Sequence, residues 1–452
     1  MPDTQAPPRA PHEAWSEQLS SALRRAAAGV PRFEEVGVVH EAVGTVLKAR
    51  GVEACVGEIC QLSDPASGSR MLAEVVGFSG PSAILMPFGE LTGVSTATEV
   101  RSTGLRHMVP AGDALLGRVL DGFGHPLDGR PLAPTSWRPG RAPAPPALAR
   151  QRIHRPFATG VRGIDALCTL GQGQRIGIFA PAGVGKSTLL GMLARRARCD
   201  VRVVALIGER GREVREFLDL NLGDELAGSV VVVATSDRSP VERFNAAHTA
   251  TAIAEHFRDA GRSVLLLVDS VTRFARAQRE IGLAAGEPPA RQGFPPSVFS
   301  ALPQLMERGG CGATGSITAF YTVLAEGDVG TDPVADEVRA TLDGHLVLSP
   351  KIAQRGQFPA IDMLQSLSRL MPLLAAPAHQ AAARRLRALL HKYDEIEMLV
   401  QLGEYRARSD PDADEALAKM AEIRRFLAQR TDEATPADEA IAQVMRLTGT
   451  AA

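Results

Sequence analysis

Hydrophobic positions fall into distinct regimes along the chain. Over residues 36–100 they come as short runs, "VGVVHEAVGTVLKARG", "ACVGEICQL", "MLAEVVGFSG" and "SAILMPFG", split by Gly, Ser, Asp and Pro. Several short strands at this spacing predict a small closed β-barrel. Over residues 151–372, unbroken apolar runs alternate with helical stretches. The runs are "RIGIFA" (175–180), "VRVVALI" (201–207), "SVVVVAT" (229–235), "SVLLLVDS" (263–270), "SITAFYTVL" (316–324) and "HLVLS" (345–349). Strands without polar alternation are covered on both faces, so this regime predicts a mostly parallel α/β sheet. Beyond about residue 372, Ala, Leu, Arg and Glu dominate. "AARRLRALLHKYDEIEMLV" places Leu386, Leu389, Leu390, Tyr393, Ile396 and Leu399 on one stripe, an amphipathic helix and one of several.

The remaining stretches connect these regimes. Residues 1–32 are rich in Ala, Pro and Arg, with Trp15, Leu19 and Leu23 at helical spacing, which predicts a short docking helix with a flexible lead. Residues 120–150, "LDGFGHPLDGRPLAPTSWRPGRAPAPPALAR", carry too much Pro and Gly for a regular helix or a central strand and read as an irregular connection.

Composition narrows the function. The 452 residues are 45% apolar, enough for two or three domains with a sizeable core. A net charge of -1 and 4% aromatic content argue against a nucleic-acid surface. Five cysteines, Cys55, Cys60, Cys168, Cys199 and Cys311, are scattered without a CxxC pair, so they read as reduced, small buried residues. No apolar run reaches bilayer-spanning length, and the start has no signal-peptide core, so a soluble protein that meets membranes only through partners is expected. Basic residues are almost all arginine. Lysine appears only at 48, 186, 351, 392 and 419, so each one invites the question of why a compact ammonium stands there.

Lys186 has the clearest answer. "GIFAPAGVGKSTLLGM" sets a strand, a tight turn, Lys186-Ser187 and an apolar helix in series. This is the P-loop pattern in relaxed form, with Ala180 where the strict motif has glycine. Backbone N–H groups of Ala182, Gly183, Val184, Gly185, Lys186, Ser187 and Thr188 are expected to wrap phosphate oxygens, helped by the positive end of the helix. Gly183 and Gly185 allow backbone angles and a close approach that a Cβ would obstruct. Lys186 reaches the β and γ oxygens of ATP, and the Ser187 hydroxyl ligates Mg²⁺. Downstream, "SVLLLVDS" ends an apolar strand in Asp269, where a Walker B carboxylate helps hold the metal.

"VRVVALIGERGREVREF" raises a sharper question, because an apolar strand delivers Glu209 and Arg210 at its tip. Glu209 follows Lys186 by about one helix and one strand, a single right-handed crossover. Parallel strands open their C-terminal ends on one edge, so Glu209 is expected over the γ-phosphate, orienting a water as general base. The plain alternative is an acidic residue serving the next helix N-terminus, worth at most about 1 kcal/mol. The charges after Arg210 read as a solvated or subunit-facing helix surface.

Taken in order, these stretches with "DSVTRFARAQREIGLAAGEPPARQGFPPSVF", "GSITAFYTVLAEGD" and "FPAIDMLQSLSRL" resemble the type III secretion ATPases, relatives of the flagellar export ATPase and the rotary ATP synthase catalytic subunits. The resemblance covers roughly residues 33–452. It implies an N-terminal regulatory segment (1–32), a β-barrel (33–103), a RecA-like nucleotide-binding catalytic domain (104–372) and a C-terminal helical domain (373–452). It further implies a homohexamer with ATP at subunit interfaces. Lys186, Glu209 and Asp269 align with the family's P-loop lysine, catalytic glutamate and Walker B aspartate. Arg369, directly after "PAIDMLQSLS", takes the place of an arginine finger acting in trans, and Phe358 that of an aromatic packing on adenine, where tyrosine is usual. Pro181 and Pro350 depart from the family pattern without touching Lys186, Ser187 or Glu209.

By resemblance the activity is ATP hydrolysis that releases chaperones from export substrates, unfolds the substrates and feeds them to a membrane gate. The implied partners are a stator-like negative regulator at the N-terminal segment, a central stalk protein, the export gate and sorting platform, and substrate–chaperone complexes. The implied place is the cytoplasmic side of the inner membrane. A flagellar export ATPase is the nearest rival. A hexameric RNA translocase would need a basic, aromatic domain before the motor, which the barrel lacks. A non-catalytic nucleotide-binding subunit would lack the carboxylate at 209.

Overall fold

The computed structural model describes residues 35–325 and 332–450. The expected docking helix at 1–32 lies outside these residues. The β-rich regime closes into a six-stranded antiparallel barrel between Gly37 and Arg106. Its interior holds Val39, Leu47, Ala49, Leu62, Val75, Leu85 and Val100. Alternation of inward and outward positions is incomplete, because Ser82–Pro87 is buried along its whole length.

The central sheet runs, in spatial order, Ile361–Ser368, Gly344–Leu348, Arg175–Ala180, Ser316–Leu324, Ser263–Asp269, Val201–Ile207, Ser229–Ala234 and Arg118–Asp121. All neighbours along this path are parallel except the first pair. Both faces are covered. Val203, Ala205 and Ile207 pack into one core and Val204 and Leu206 into the other, which is why this strand shows no polar alternation. Several strands escaped the sequence reading. Arg118–Asp121 overlaps the stretch expected to be irregular, yet it pairs in parallel at the sheet edge, with Leu120 bridging to Pro126 beside it. An edge position needs hydrogen bonds on one side only, so neighbouring Gly and Pro are tolerated. Within the same stretch Ser136–Pro139 pairs with Met108–Ala111 as a separate two-stranded ribbon. Ile361–Ser368 alternates buried and exposed positions, the signature of an antiparallel edge strand rather than a buried one.

Helix starts follow local chemistry. Ser239, Asp332 and Asp410 each precede a proline and cap the helix that begins there, accepting from Glu242 N, Val334 N and Asp412 N at 3.2, 2.8 and 2.9 Å. Side-chain acceptors at the N-cap satisfy orphan amides, and proline is pre-shaped for the first turn. Helices Pro377–Gln401, Pro411–Leu427 and Ala437–Thr448 form the C-terminal layer. Leu386, Leu389 and Ile396 are buried there, whereas Leu399 turns outward at the helix end.

A buried polar network joins barrel to sheet. Arg308 pairs with Glu255 through two hydrogen bonds of 2.9 and 2.8 Å and donates to Gly140 O at 2.8 Å. Arg141 reaches Glu74 of the barrel at 2.7 Å. Each buried charge is matched, as burial demands. No helix among the described residues is long and apolar enough to cross a membrane.

Candidate active site

The strand Arg175–Ala180 ends in a turn that leads directly into the helix Lys186–Arg196. Gly183 and Gly185 take φ of 80° and 91°, the left-handed region where a side chain is penalised. Gly185 forms the helix N-cap, and its carbonyl accepts from Leu189 N at 3.0 Å. Val184 anchors the turn in the core, while Ala182, Gly183 and Ser187 are exposed and Gly185 and Thr188 partly so. The turn therefore presents backbone amides and a hydroxyl to solvent at a helix N-terminus, an anion site by construction.

Lys186 Nζ lies 2.5 Å from Asp269 Oδ1 and 3.4 Å from Glu209 Oε1. The pairing register explains the convergence. Leu206 sits opposite Asp269 on the adjacent parallel strand, so Glu209 emerges just past the same edge. Burial works against the Lys186 charge, but Asp269 and Glu209 outweigh it and hold its pKa above the usual lysine value. Glu209 is pushed up to about 7, first by burial and then by the Asp269 charge, with Lys186 opposing. A carboxyl poised near neutrality suits proton transfer.

Three residues of this corner were not singled out in the sequence. Thr322 Oγ1 donates to Asp269 Oδ1 at 2.7 Å and fixes that carboxylate; in sequence it is one of several hydroxyls in this strand, with nothing to set it apart. Arg273 packs its stem against Gly208, whose φ of 68° turns the chain out of the strand. The Arg273 Nε is buried and has no hydrogen-bond partner among the described residues. Glu213 hydrogen-bonds Glu209 and raises its pKa further. Arg210 points away, with its side chain 79% exposed and 3.8 Å from Glu213.

Phe358 and Arg369 flank the edge strand Ile361–Ser368, one before its start and one after its end. The Phe358 ring borders the phosphate turn, because a Cβ on Gly185 would stand 3.4 Å from its Cδ1. Arg369 follows the strand whose Ser368 pairs with Gly344, and its amide donates to Asp343 O at 3.1 Å. Asp343 in turn binds Arg175 at the entry end of the strand that leads to the turn. A six-residue strand spans about 20 Å. Arg369 thus stands a strand length from the Lys186 of its own chain, and its side chain is exposed.

The donor set suits a triphosphate with a hard divalent cation. Lys186, at the start of its helix, pairs with the Asp269 carboxylate, and the Arg273 Nε near Gly208 is buried without a partner among the described residues. Among the described residues no cluster of three or more His, Cys, Asp or Glu is arranged to hold a metal. Ser187 and Asp269 supply oxygen ligands of the kind Mg²⁺ takes alongside phosphate.

Comparison with known proteins places this geometry in context. Residues 160–368 match the ATP synthase alpha/beta family nucleotide-binding domain, residues 39–104 its beta-barrel domain, and residues 375–446 the T3SS EscN ATPase C-terminal domain. A type 3 secretion system ATPase of Xanthomonas euvesicatoria is 59% identical over 417 residues, covering 92% of this chain and 94% of the relative. The assembled ATPase EscN from the enteropathogenic E. coli type III secretion system superposes with a TM-score of 0.87 at 46% identity, over 91% of this chain and 100% of that one. The assembled EscN in complex with its central stalk EscO gives 0.84 at 45% identity, with the same coverage.

Proposed function

The chain belongs to the type III secretion ATPases, a branch of the ATP synthase alpha/beta family, and from that premise we propose how its residues hydrolyse ATP and what the hydrolysis serves. The observation that carries the mechanism is the meeting of Lys186, Glu209 and Asp269 at one sheet edge, beside the phosphate turn. Amides from Ala182 to Thr188 hold the triphosphate and Lys186 neutralises its terminal oxygens. Ser187 and Asp269 would hold Mg²⁺, which would supply positive charge to offset that of the triphosphate. Glu209 orients a water for in-line attack and takes its proton. Phe358 stacks on adenine.

Arg369 of one subunit completes the site of the next. Its distance from its own Lys186 supports action across an interface, where a guanidinium stabilises charge developing in the transition state. A homohexamer supplies six such interfaces, and the assembled relative supports that form. The relative's stalk complex supports a central stalk here too. The work is chaperone release, unfolding and delivery of export substrates to the gate and sorting platform. The C-terminal helices face substrate–chaperone complexes, and residues 1–32 meet a stator-like negative regulator. The complex sits at the cytoplasmic face of the inner membrane through these partners. The C-terminal domain match favours an injectisome over a flagellar machine.

The test is the steady-state rate of ATP hydrolysis against protein concentration. A superlinear rise is expected, because each site needs two subunits. Strict proportionality down to concentrations where the chain is monomeric would sink the shared site.

A further inference from the structure

The loop that carries Phe358 meets the core only at its start, where Ala353 is half-buried against it. It leaves the sheet at Ser349, forms the short helix Pro350–Gln354, and returns at Ala360, whose carbonyl accepts from Ser349 N at 2.9 Å. No residue from Ser349 to Phe358 is buried. Beside it a cleft of about 480 Å³ opens, lined by Arg355, Gln357, Tyr393, Glu397 and Arg424 among others. Apolar packing therefore reaches only Ile352 and Ala353 and leaves the stretch from Gln354 to Phe358 to polar contacts.

The C-terminal helices hold it instead. Glu397, on the helix Pro377–Gln401, is only 8% exposed. Its Oε2 lies 2.9 Å from Lys351 Nζ. Its Oε1 pairs with Arg355 and lies 3.8 Å from Arg424. Arg424 is itself seated over the Tyr393 ring at 5.0 Å. Burial pushes the Glu397 carboxyl up, but Lys351 and Arg355 outweigh it and keep the group ionised. At the loop's far end Gln429 N donates to Phe358 O at 2.8 Å. Gln429 is fixed in turn, accepting from Arg162 N and donating to Gly160 O, both at 2.8 Å. An isolated exposed ion pair holds little, but a nearly buried carboxylate gathering several cations is a network with one preferred geometry.

We propose that Glu397 is a positioning residue for nucleotide binding: by drawing Lys351 and Arg355 of the loop toward Arg424, it sets Phe358 against the phosphate turn. The inference rests on the reading of Phe358 as the adenine platform. It makes the C-terminal domain a determinant of ATP affinity, since displacing Glu397 displaces the ring. Glu397 touches no nucleotide and takes no part in bond breaking.

The test combines steady-state kinetics with hydrogen exchange on the full chain. Glu397→Gln should raise KM for ATP about three- to tenfold, the span of one aromatic contact, with kcat within about twofold. Amides of 351–357 should exchange faster while those of the phosphate turn do not. Phe358→Ala should raise KM similarly, and the double variant should add little beyond the larger single effect. Glu397→Asp, which keeps the charge, should recover part of the loss. If Glu397→Gln yields little folded protein, Arg355→Gln should show the same pattern from the exposed side. Unchanged exchange across the loop would overturn the anchoring. Fully multiplicative effects on KM, or faster exchange with unchanged KM while Phe358→Ala still raises it, would overturn the positioning. An unchanged KM in Phe358→Ala with faster loop exchange in Glu397→Gln would overturn the platform reading and leave the anchor standing.

Discussion

Lys186 Nζ stands 3.4 Å from Glu209 Oε1, although 23 residues of chain separate them. The contact follows from one helix and one strand wound right-handed, which returns the chain to the edge it left. In the proposed mechanism, an ammonium and a carboxylate this close divide the labour of hydrolysis. Lys186→Ala and Glu209→Ala are each expected to abolish turnover, a loss of about 10²–10⁴-fold for a general base. Glu209→Ala should still bind nucleotide, measured by titration with a fluorescent analogue. Wild-type-like hydrolysis in purified Glu209→Ala would remove the carboxylate from the mechanism.

The pH dependence has a fixed sign. Glu209 is pushed up to about 7 by burial and by Asp269, so much of it is protonated in mildly acidic solution. A base must be unprotonated, so kcat/KM, which reports the free enzyme, should climb with pH through about 7 and then level. Stability runs the other way. The raised folded value favours the protonated form, and that contribution is lost as pH rises through about 7. Glu209→Gln stays neutral, so its thermal midpoint should gain on the wild type between pH 5 and pH 8. A flat kcat/KM profile from pH 5.5 to 8 would argue against Glu209 as the base.

Arg369 invites a mixing experiment. Its side chain is exposed at the edge away from its own phosphate turn, so Arg369→Ala should leave the melting temperature unchanged while activity falls about 10³-fold or more. Combined with Lys186→Ala subunits, some interfaces would pair an intact Lys186 with an intact Arg369. Partial recovery of turnover is expected on mixing, and its absence in verified mixed hexamers would place the finger elsewhere.

Arg308 offers a stability test remote from the chemistry. It is 1% exposed and doubly bonded to Glu255, which is 3% exposed. Arg308→Ala would leave a buried carboxylate without its partner, at a cost of about 3–5 kcal/mol. Urea denaturation should show this as a lower midpoint. A loss under ~1 kcal/mol would mean that water or a neighbour replaces the guanidinium.

Much of the site was legible because its chemistry is local. The phosphate turn needs glycine at 183 and 185, a lysine and a hydroxyl in consecutive order, and the structure realises those needs within one turn. Asp269 and Glu209 were legible for a related reason: each ends an unbroken apolar strand, and parallel strands share an outlet edge. Thr322 and Arg273 were not, because one of two threonines in "SITAFYTVL" or an arginine in "DSVTRF" gains meaning only from the neighbouring strand or turn.

The chain order of apolar runs, glycines and charges by itself determined a barrel, a doubly covered parallel sheet, a helical end and a phosphate-binding turn. Those features depend on periodicity and on backbone angles, which are properties of short stretches. Only the tertiary structure decided that Leu206 lies opposite Asp269, that Arg369 stands a strand length from its own Lys186, and that Glu397 pairs with Lys351 and Arg355 of the loop before Phe358. Such relations join residues far apart in sequence, and they are set by strand register and helix packing, which no local pattern encodes.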